Sequence, residues 1–154
     1  MARDWLFRFE EGTCNFRCAA VIIRDDKILL QRDQEEYALA GGQVQMGETG
    51  EEAVVREFIE EMGARVRCTR LLWTEECFWK WNGKLAHTIN FYYLAEFCDG
   101  ADFADDGQFH PQRDNSRVEI GWVPIDQLNK LTVYPEFLKQ SIHDLKSGHF
   151  ITRA

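Results

Sequence analysis

The chain of 154 residues has no apolar run long enough to span a membrane and no excess of basic charge. Lys and Arg number 18 against 26 Asp and Glu, a net charge of −8. Nonspecific binding to nucleic acid or to an anionic membrane needs a basic surface, so neither stable nucleic-acid binding nor membrane association is expected. A small phosphate ligand stays possible, because metal ions screen an acidic site. The opening stretch MARDWLFRFEEG carries acids early and has no apolar h-region, so it is not read as a signal peptide. Cysteine is present without organisation: Cys14, Cys18, Cys68, Cys77 and Cys98 make an odd count with no CxxC pair. That usage predicts reduced thiols in a cytoplasmic protein and no zinc site. His87, His110, His143 and His149 show no metal-ligand spacing. Asp102 to Gly107 has a trace of a calcium loop, but its twelfth position is Arg113 instead of Glu, which excludes an EF-hand. No repeat or low-complexity tract interrupts the chain, and 45% of it is apolar, so residues 1–154 are expected to form one domain.

What the chain does have is a dense acidic segment, GQVQMGETGEEAVVREFIEEMG, from Gly42 to Gly63. Thr49 is a predicted helix N-cap with Glu52 completing a capping box, and Gly63 is the predicted stop. The helix then runs from about Gly50 to Met62. Glu57, Glu60 and Glu61 fall within one arc of it, where like charges at i,i+4 repel. Such a cluster beside a glycine turn calls for a cation, and a divalent metal is the simplest. Val55, Phe58, Ile59 and Met62 are predicted to face the core, while Ala53, on the acid side, leaves room for a ligand.

Around the helix, Cys18–Arg24 and Lys27–Arg32 read as a β-hairpin turning at Asp25-Asp26. Arg65–Trp81 and Lys84–Phe97 read as a second pair, turning at Asn82-Gly83. Asp99–Ser116 is a predicted loop and Val118–Ile125 a strand. Asp126 is a predicted cap of a short helix, and Pro135–Ser147 a closing amphipathic helix ended by Gly148. Strands with helices between and after them predict an α/β layered domain. The aromatic stretch Trp73, Phe78, Trp79, Trp81, Phe91, Tyr92 and Tyr93 suits sheet core, a homodimer surface or base stacking.

Read as G-x5-E-x7-R-E-U-x-E-E-x-G-U, with U bulky and apolar, the acidic segment supplies Gly42, Glu48, Arg56, Glu57, Phe58, Glu60, Glu61, Gly63 and Ala64. This resembles the signature box of the Nudix hydrolase family. Every fixed position matches, with Ala64 small where an aliphatic is usual. The box covers Gly42–Ala64 only; the flanking hairpins and Trp122-Val123-Pro124 add to the likeness. The resemblance implies an α/β/α sandwich with a mixed sheet. It also implies hydrolysis of a pyrophosphate bond in a nucleoside diphosphate linked to another group, with Mg²⁺ or Mn²⁺ as cofactor. By motif position Glu57, Glu60 and Glu61 would be metal ligands, with Arg56 and Glu48 bracing loop to helix. Gly41 and Gly42 would approach metal and substrate, and Arg32 is a candidate phosphate contact. Glu61 is the first choice of catalytic base; Glu119, Asp102, Asp105 and Asp106 are alternatives. Two positions depart from the family pattern: Ala40 stands where proline is usual, and Gln45 where many members carry Glu. A small-molecule nucleotide is the implied substrate: a (deoxy)nucleoside triphosphate first, ADP-ribose or a nucleotide sugar next. The alternative from another class is a non-catalytic module that senses a nucleotide.

Overall fold

The computed structural model describes residues 2–154. Two apolar runs explain its centre. In CAAVII, Cys18, Ala20 and Ile22 enter one core cluster while Ala19 and Val21 enter another. In KILL, Leu29 joins the first cluster and Ile28 and Leu30 the second. Successive strand residues point to opposite faces, so continuous apolar runs are what a sheet covered on both sides requires.

The strands are β1 (Leu6–Arg8), β2 (Gly12–Val21), β3 (Ile23–Arg24), β4 (Lys27–Asp33), β5 (Glu36–Leu39) and β6 (Gly41–Gln43), followed by helix α1 (Gly50–Met62). After α1 come β7 (Val66–Trp81), β8 (Lys84–Phe97), β9 (His110–Pro111) and β10 (Glu119–Pro124). A 3₁₀ turn (Ile125–Lys130), β11 (Thr132–Tyr134), α2 (Leu138–Ser141) and β12 (Gly148–Arg153) complete the chain. They build two sheets. The first has the order β1-β2-β8-β7-β12, with β6 also paired to β2; the second has the order β11-β5-β4-β10-β9, with β3 paired to β4. Both are mixed: β2 with β8, β7 with β12, and β11 with β5 run parallel. Helix α1 lies over one face, with Val54 and Phe58 in the first cluster; Leu138 of α2 and Leu128 of the 3₁₀ turn seal the other. This is the expected α/β layering with mixed pairing.

Turn chemistry sets the hairpins. Asn82 and Gly83 have φ of 51° and 77°, and Asp25 and Asp26 have φ of 51° and 60°, all in the left-handed region that such two-residue turns use. Helix α1 begins and ends as its caps dictate. Thr49 Oγ1 accepts from Glu52 N at 3.1 Å, Glu52 Oε2 accepts from Thr49 N at 3.4 Å, and Gly63 closes the helix at φ 66°.

Several expectations are corrected. The strand expected from Cys18 starts earlier, at Gly12, and the run CAAVIIR divides between sheets, β2 pairing with β8 and β3 with β4. The Asp99–Ser116 loop contains a short strand, β9. Asp126 does not cap: Pro124 occupies the N-cap position, with no side-chain bond. Within Pro135–Ser147 only Leu138–Ser141 is α-helical, and the chain continues as β12 on the edge of β7. Leu145 takes a left-handed φ of 51°, which ends the helical course, and pairing to β7 satisfies backbone groups that an open edge would leave bare. The buried side of α1 is rotated from the one expected: it carries Gly50, Ala53, Val54, Phe58, Glu61 and Met62, with Val55 half-buried and Ile59 exposed. Ala53 is fully buried in the core, so it leaves no space for a ligand.

Candidate active site

The rotation of α1 turns two of its glutamates inward. Glu61 is buried and the Glu57 side chain is only 13% exposed, while Glu60 is 46% exposed. These acids stand in the second half of α1, where the helix dipole is negative, and no basic residue occupies the last turn. The cation nearest this helix end comes from outside α1: the Arg113 guanidinium lies over Gly63.

Arg56 gathers the acids. Its Nε and Nη2 donate to Glu48 Oε2 and Oε1 at 3.1 and 2.6 Å, a two-pronged pair. Nη1 donates to Glu57 Oε1 at 3.1 Å and to Glu60 Oε2 at 3.3 Å. Nη2 also reaches the Gln43 carbonyl at 2.9 Å, which ties the helix to β6. Glu48 Oε1 accepts in addition from Gln45 N at 2.7 Å. The Arg56 partner, opposed by desolvation, holds the Glu48 carboxyl below its ordinary range. Gln45, the departure from Glu, thus serves here through its backbone. Ala40 is fully buried, and its carbonyl accepts from Ala20 N at 3.0 Å, which holds the loop without a proline.

The two glycines are demanded by contact. A Cβ on Gly41 would lie 1.9 Å from the Cys18 carbonyl oxygen, and one on Gly42 would lie 2.3 Å from Glu57 Oε1. Strand β6 therefore presses bare backbone against both β2 and the carboxylate. Cys18 Sγ lies 3.7 Å from the Gly42 carbonyl oxygen, and burial pushes its thiol up to about 12, so it is an inert filler.

Glu61 is the unusual group. Burial first, then the facing Glu57 carboxylate, push its carboxyl up to about 9. Its Oε2 is buried with no hydrogen-bond partner. Burial raises Glu57 as well, against the pull of Arg56. Two inward carboxylates with one orphaned oxygen need a proton or a metal ion between them. Hard oxygen donors of this kind suit Mg²⁺ or Mn²⁺, so the residues fit such an ion. Among the described residues no set of three or more His, Cys, Asp or Glu side chains has metal-cluster spacing, Glu60 being engaged by Arg56.

The sequence-predicted residues Gly41, Gly42, Glu48, Arg56, Glu57, Glu60 and Glu61 come together. Arg32 is not joined to them: it donates to Glu119 Oε1 at 2.9 Å, with its guanidinium carbon 4.0 Å from the centre of the Phe109 ring. The other candidate bases are also engaged, Asp102 by Arg24, Asp105 by Lys27 at 3.0 Å, and Asp106 by the His110 ring at 2.9 Å. Two participants had no signal in sequence. Arg113 N donates to the Glu61 carbonyl at 2.9 Å, and the Arg113 guanidinium closes over Gly63. Gln43 contributes only its carbonyl to Arg56, which no side-chain pattern announces.

An acid-bearing helix braced over a bare glycine edge, on two mixed sheets, defines an α/β domain with a cation-seeking carboxylate pair. The chain belongs to the Nudix hydrolase family: the NUDIX domain model matches residues 15–145. It is 28% identical over 126 residues to a candidate mutator protein, MutT4, of Mycobacterium tuberculosis, covering 82% of this chain and 46% of that one. It is 30% identical over 127 residues to the NAD-capped RNA hydrolase NudC of Photorhabdus laumondii, covering 80% of this chain and 44% of that one. The chain thus spans less than half the length of these curated relatives. The crystal structure of the mutator MutT protein from Bacillus halodurans superposes with a TM-score of 0.63 at 16% identity, over 90% of both chains, and shares the fold.

Proposed function

We propose that the chain hydrolyses a pyrophosphate bond in a nucleoside diphosphate linked to another group, with Mg²⁺ or Mn²⁺, and that a (deoxy)nucleoside triphosphate is its first substrate. The observation that carries the reading is the inward Glu57/Glu61 pair with its orphaned oxygen, held against Gly42 by the Arg56–Glu48 brace. Glu57, Glu60 and Glu61 would hold the ion, with the Gly41 and Gly42 backbone beside it. A bound divalent ion supplies charge neutralisation at the phosphates and a more acidic water. The chain's own part is to desolvate Glu57 and Glu61 and to hold Glu57 through Arg56; with the ion bound, an ionised Glu61 would be the base. The net charge of −8 disfavours long RNA as a substrate.

The experiment is a substrate panel of (deoxy)nucleoside triphosphates, ADP-ribose and nucleotide sugars, with Mg²⁺ and with Mn²⁺, reading phosphate and nucleotide release. Turnover of one class is expected. Glu57→Gln and Glu61→Gln should each lower it by about 10²-fold or more while the thermal transition stays cooperative. Binding without turnover for every compound would instead mark a nucleotide sensor.

A further inference from the structure

The face of the first sheet turned away from α1 carries a polar track that the acid site does not use. Strand register places it. Arg17 lies opposite Gln43 on β6 and Asn90 on β8, and Asn90 lies opposite Glu75 on β7. The next row is Asn15, Thr88 and Cys77, and the one after is Thr13, Ala86 and Trp79. Residues paired across strands share a face, and so do residues two apart along a strand. Hydrogen bonds link the rows: Trp79 Nε1 to Thr88 Oγ1 at 3.5 Å, Thr88 Oγ1 to Asn15 Oδ1 at 2.7 Å, and Asn15 Nδ2 to Gln43 Oε1 at 3.3 Å. The Gln43 carbonyl is the group that Arg56 grips, so the track leads into the acid site.

This face is buried as far as Trp73, Tyr92 and Ala19, beneath the residues packed around α2. Beyond them the cover thins: Glu75, Thr88 and Ala86 stay buried, while Asn15, Arg17, Gln43 and Asn90 are half-buried and Trp79 is 39% exposed. The Arg17 side chain makes no hydrogen bond or ion pair among the described residues, whereas Arg24, Arg32 and Arg56 are all anchored. Glu75 is no partner for it. That buried carboxylate is already filled by Asn90 Nδ2 at 2.9 Å, Tyr92 OH at 2.7 Å and Thr152 Oγ1 at 2.6 Å. Strand register sets Arg17 between Gln43, whose carbonyl Arg56 holds, and Asn90, which is bonded to Glu75. From the Arg17 row to the Trp79 row is about 13 Å along the strand, comparable with an extended nucleotide.

We propose that this face is the nucleotide-binding half of the active centre: Arg17 takes a substrate phosphate, Asn15 reads the base edge, and Trp79 stacks the base. The assignment rests on the pyrophosphohydrolase reading and names the part of the substrate recognised outside the acid helix. A guanidinium left without a carboxylate partner suits a phosphate oxygen pair, and an amide hydrogen-bonded between Thr88 and Gln43 presents a fixed edge. An indole offers a face to any base.

The test titrates the full chain with AMP, GMP, CMP and UMP in the presence of EDTA, following the Trp79 indole N–H and the Asn15 side-chain amide by ¹⁵N NMR. Saturable shifts at both groups are expected, with one monophosphate binding more tightly than the rest. Arg17→Ala should weaken that binding about tenfold or more, Arg17→Lys should restore part of it, and Asn15→Ala should alter the ranking of the bases. In turnover, Arg17→Ala should raise KM more than it lowers kcat. No shift at Trp79 and Asn15 with any monophosphate, or unchanged affinity in Arg17→Ala, overturns the assignment. The two readings fail separately. Monophosphate shifts without hydrolysis of any panel compound sink the enzyme and keep the binding face; hydrolysis with an unaltered KM in Arg17→Ala does the reverse.

Discussion

Gly42 meets Glu57 by contact: the missing side chain is the space that the carboxylate occupies. Gly42→Ala should therefore displace Glu57 without unfolding the sheet. Its kcat is expected to fall about 10²-fold or more, with the thermal midpoint moved by only a few degrees, measured by steady-state assay and calorimetry on the same sample. Equal activity in the variant would remove Gly42 from the site. Glu61 makes a second residue-level prediction. Its carboxyl is raised from 4.5 to about 9, so the folded chain keeps the proton over a pH range where the unfolded chain loses it. The contribution to stability is present below about 4.5 and is lost as pH rises towards 9. Urea midpoints across that range should decline for the wild type and decline less for Glu61→Gln, which cannot ionise. Added Mg²⁺ at high pH should recover the wild type and leave the Gln variant little changed. Parallel pH slopes for the two proteins would contradict the burial of Glu61.

The element that positions the site is α1, and its ends were legible in sequence because capping is local chemistry. Thr49, Glu52 and Gly63 act within a few residues of where they stand. Thr49→Ala should cost about 1 kcal/mol and lower the thermal midpoint by about 2–4 °C, with the pyrophosphatase assay at 25 °C nearly unchanged. The orientation of α1 was less legible. Val55 and Ile59 continue an apolar pattern that the sequence assigns to the core, but the helix turns Ala53, Val54 and Phe58 inward. Residues across the sheets decide this. Gly42, Cys18 and the Arg56–Gln43 bond draw the acidic side toward β6, and Ile59 is left exposed. The hairpins fall between these cases. Asn82-Gly83 and Asp25-Asp26 announce their turns, yet nothing local shows that β2 crosses to lie parallel to β8.

At the scale of the molecule, the first sheet is closed by a C-terminal strand that lies just beyond the segment read as a closing helix. β12 pairs with β7, Phe150 stacks on Phe137 with ring centres 3.8 Å apart, and Thr152 donates to the buried Glu75. Removing residues 148–154 would open the β7 edge and leave Glu75 short of a donor. Such a truncation should lower the thermal midpoint more than Thr49→Ala does and speed hydrogen exchange of the β7 amides. Unchanged exchange would show that β12 is dispensable. No helix among the described residues is long and apolar enough to cross a membrane.

The sequence alone determined the acid helix with its caps, the turn at each hairpin and the spacing of Gly42, Glu48, Arg56, Glu57, Glu60 and Glu61. Each of these is written in neighbours within about two helical turns, where backbone geometry is the only intermediary. Tertiary structure decided which glutamate is buried, that Arg32 pairs with Glu119, and that β12 closes the edge. It also decided that Arg17 and Trp79 share a face with Gln43. Those outcomes depend on pairings between distant segments, where desolvation and backbone hydrogen bonding outweigh local preference.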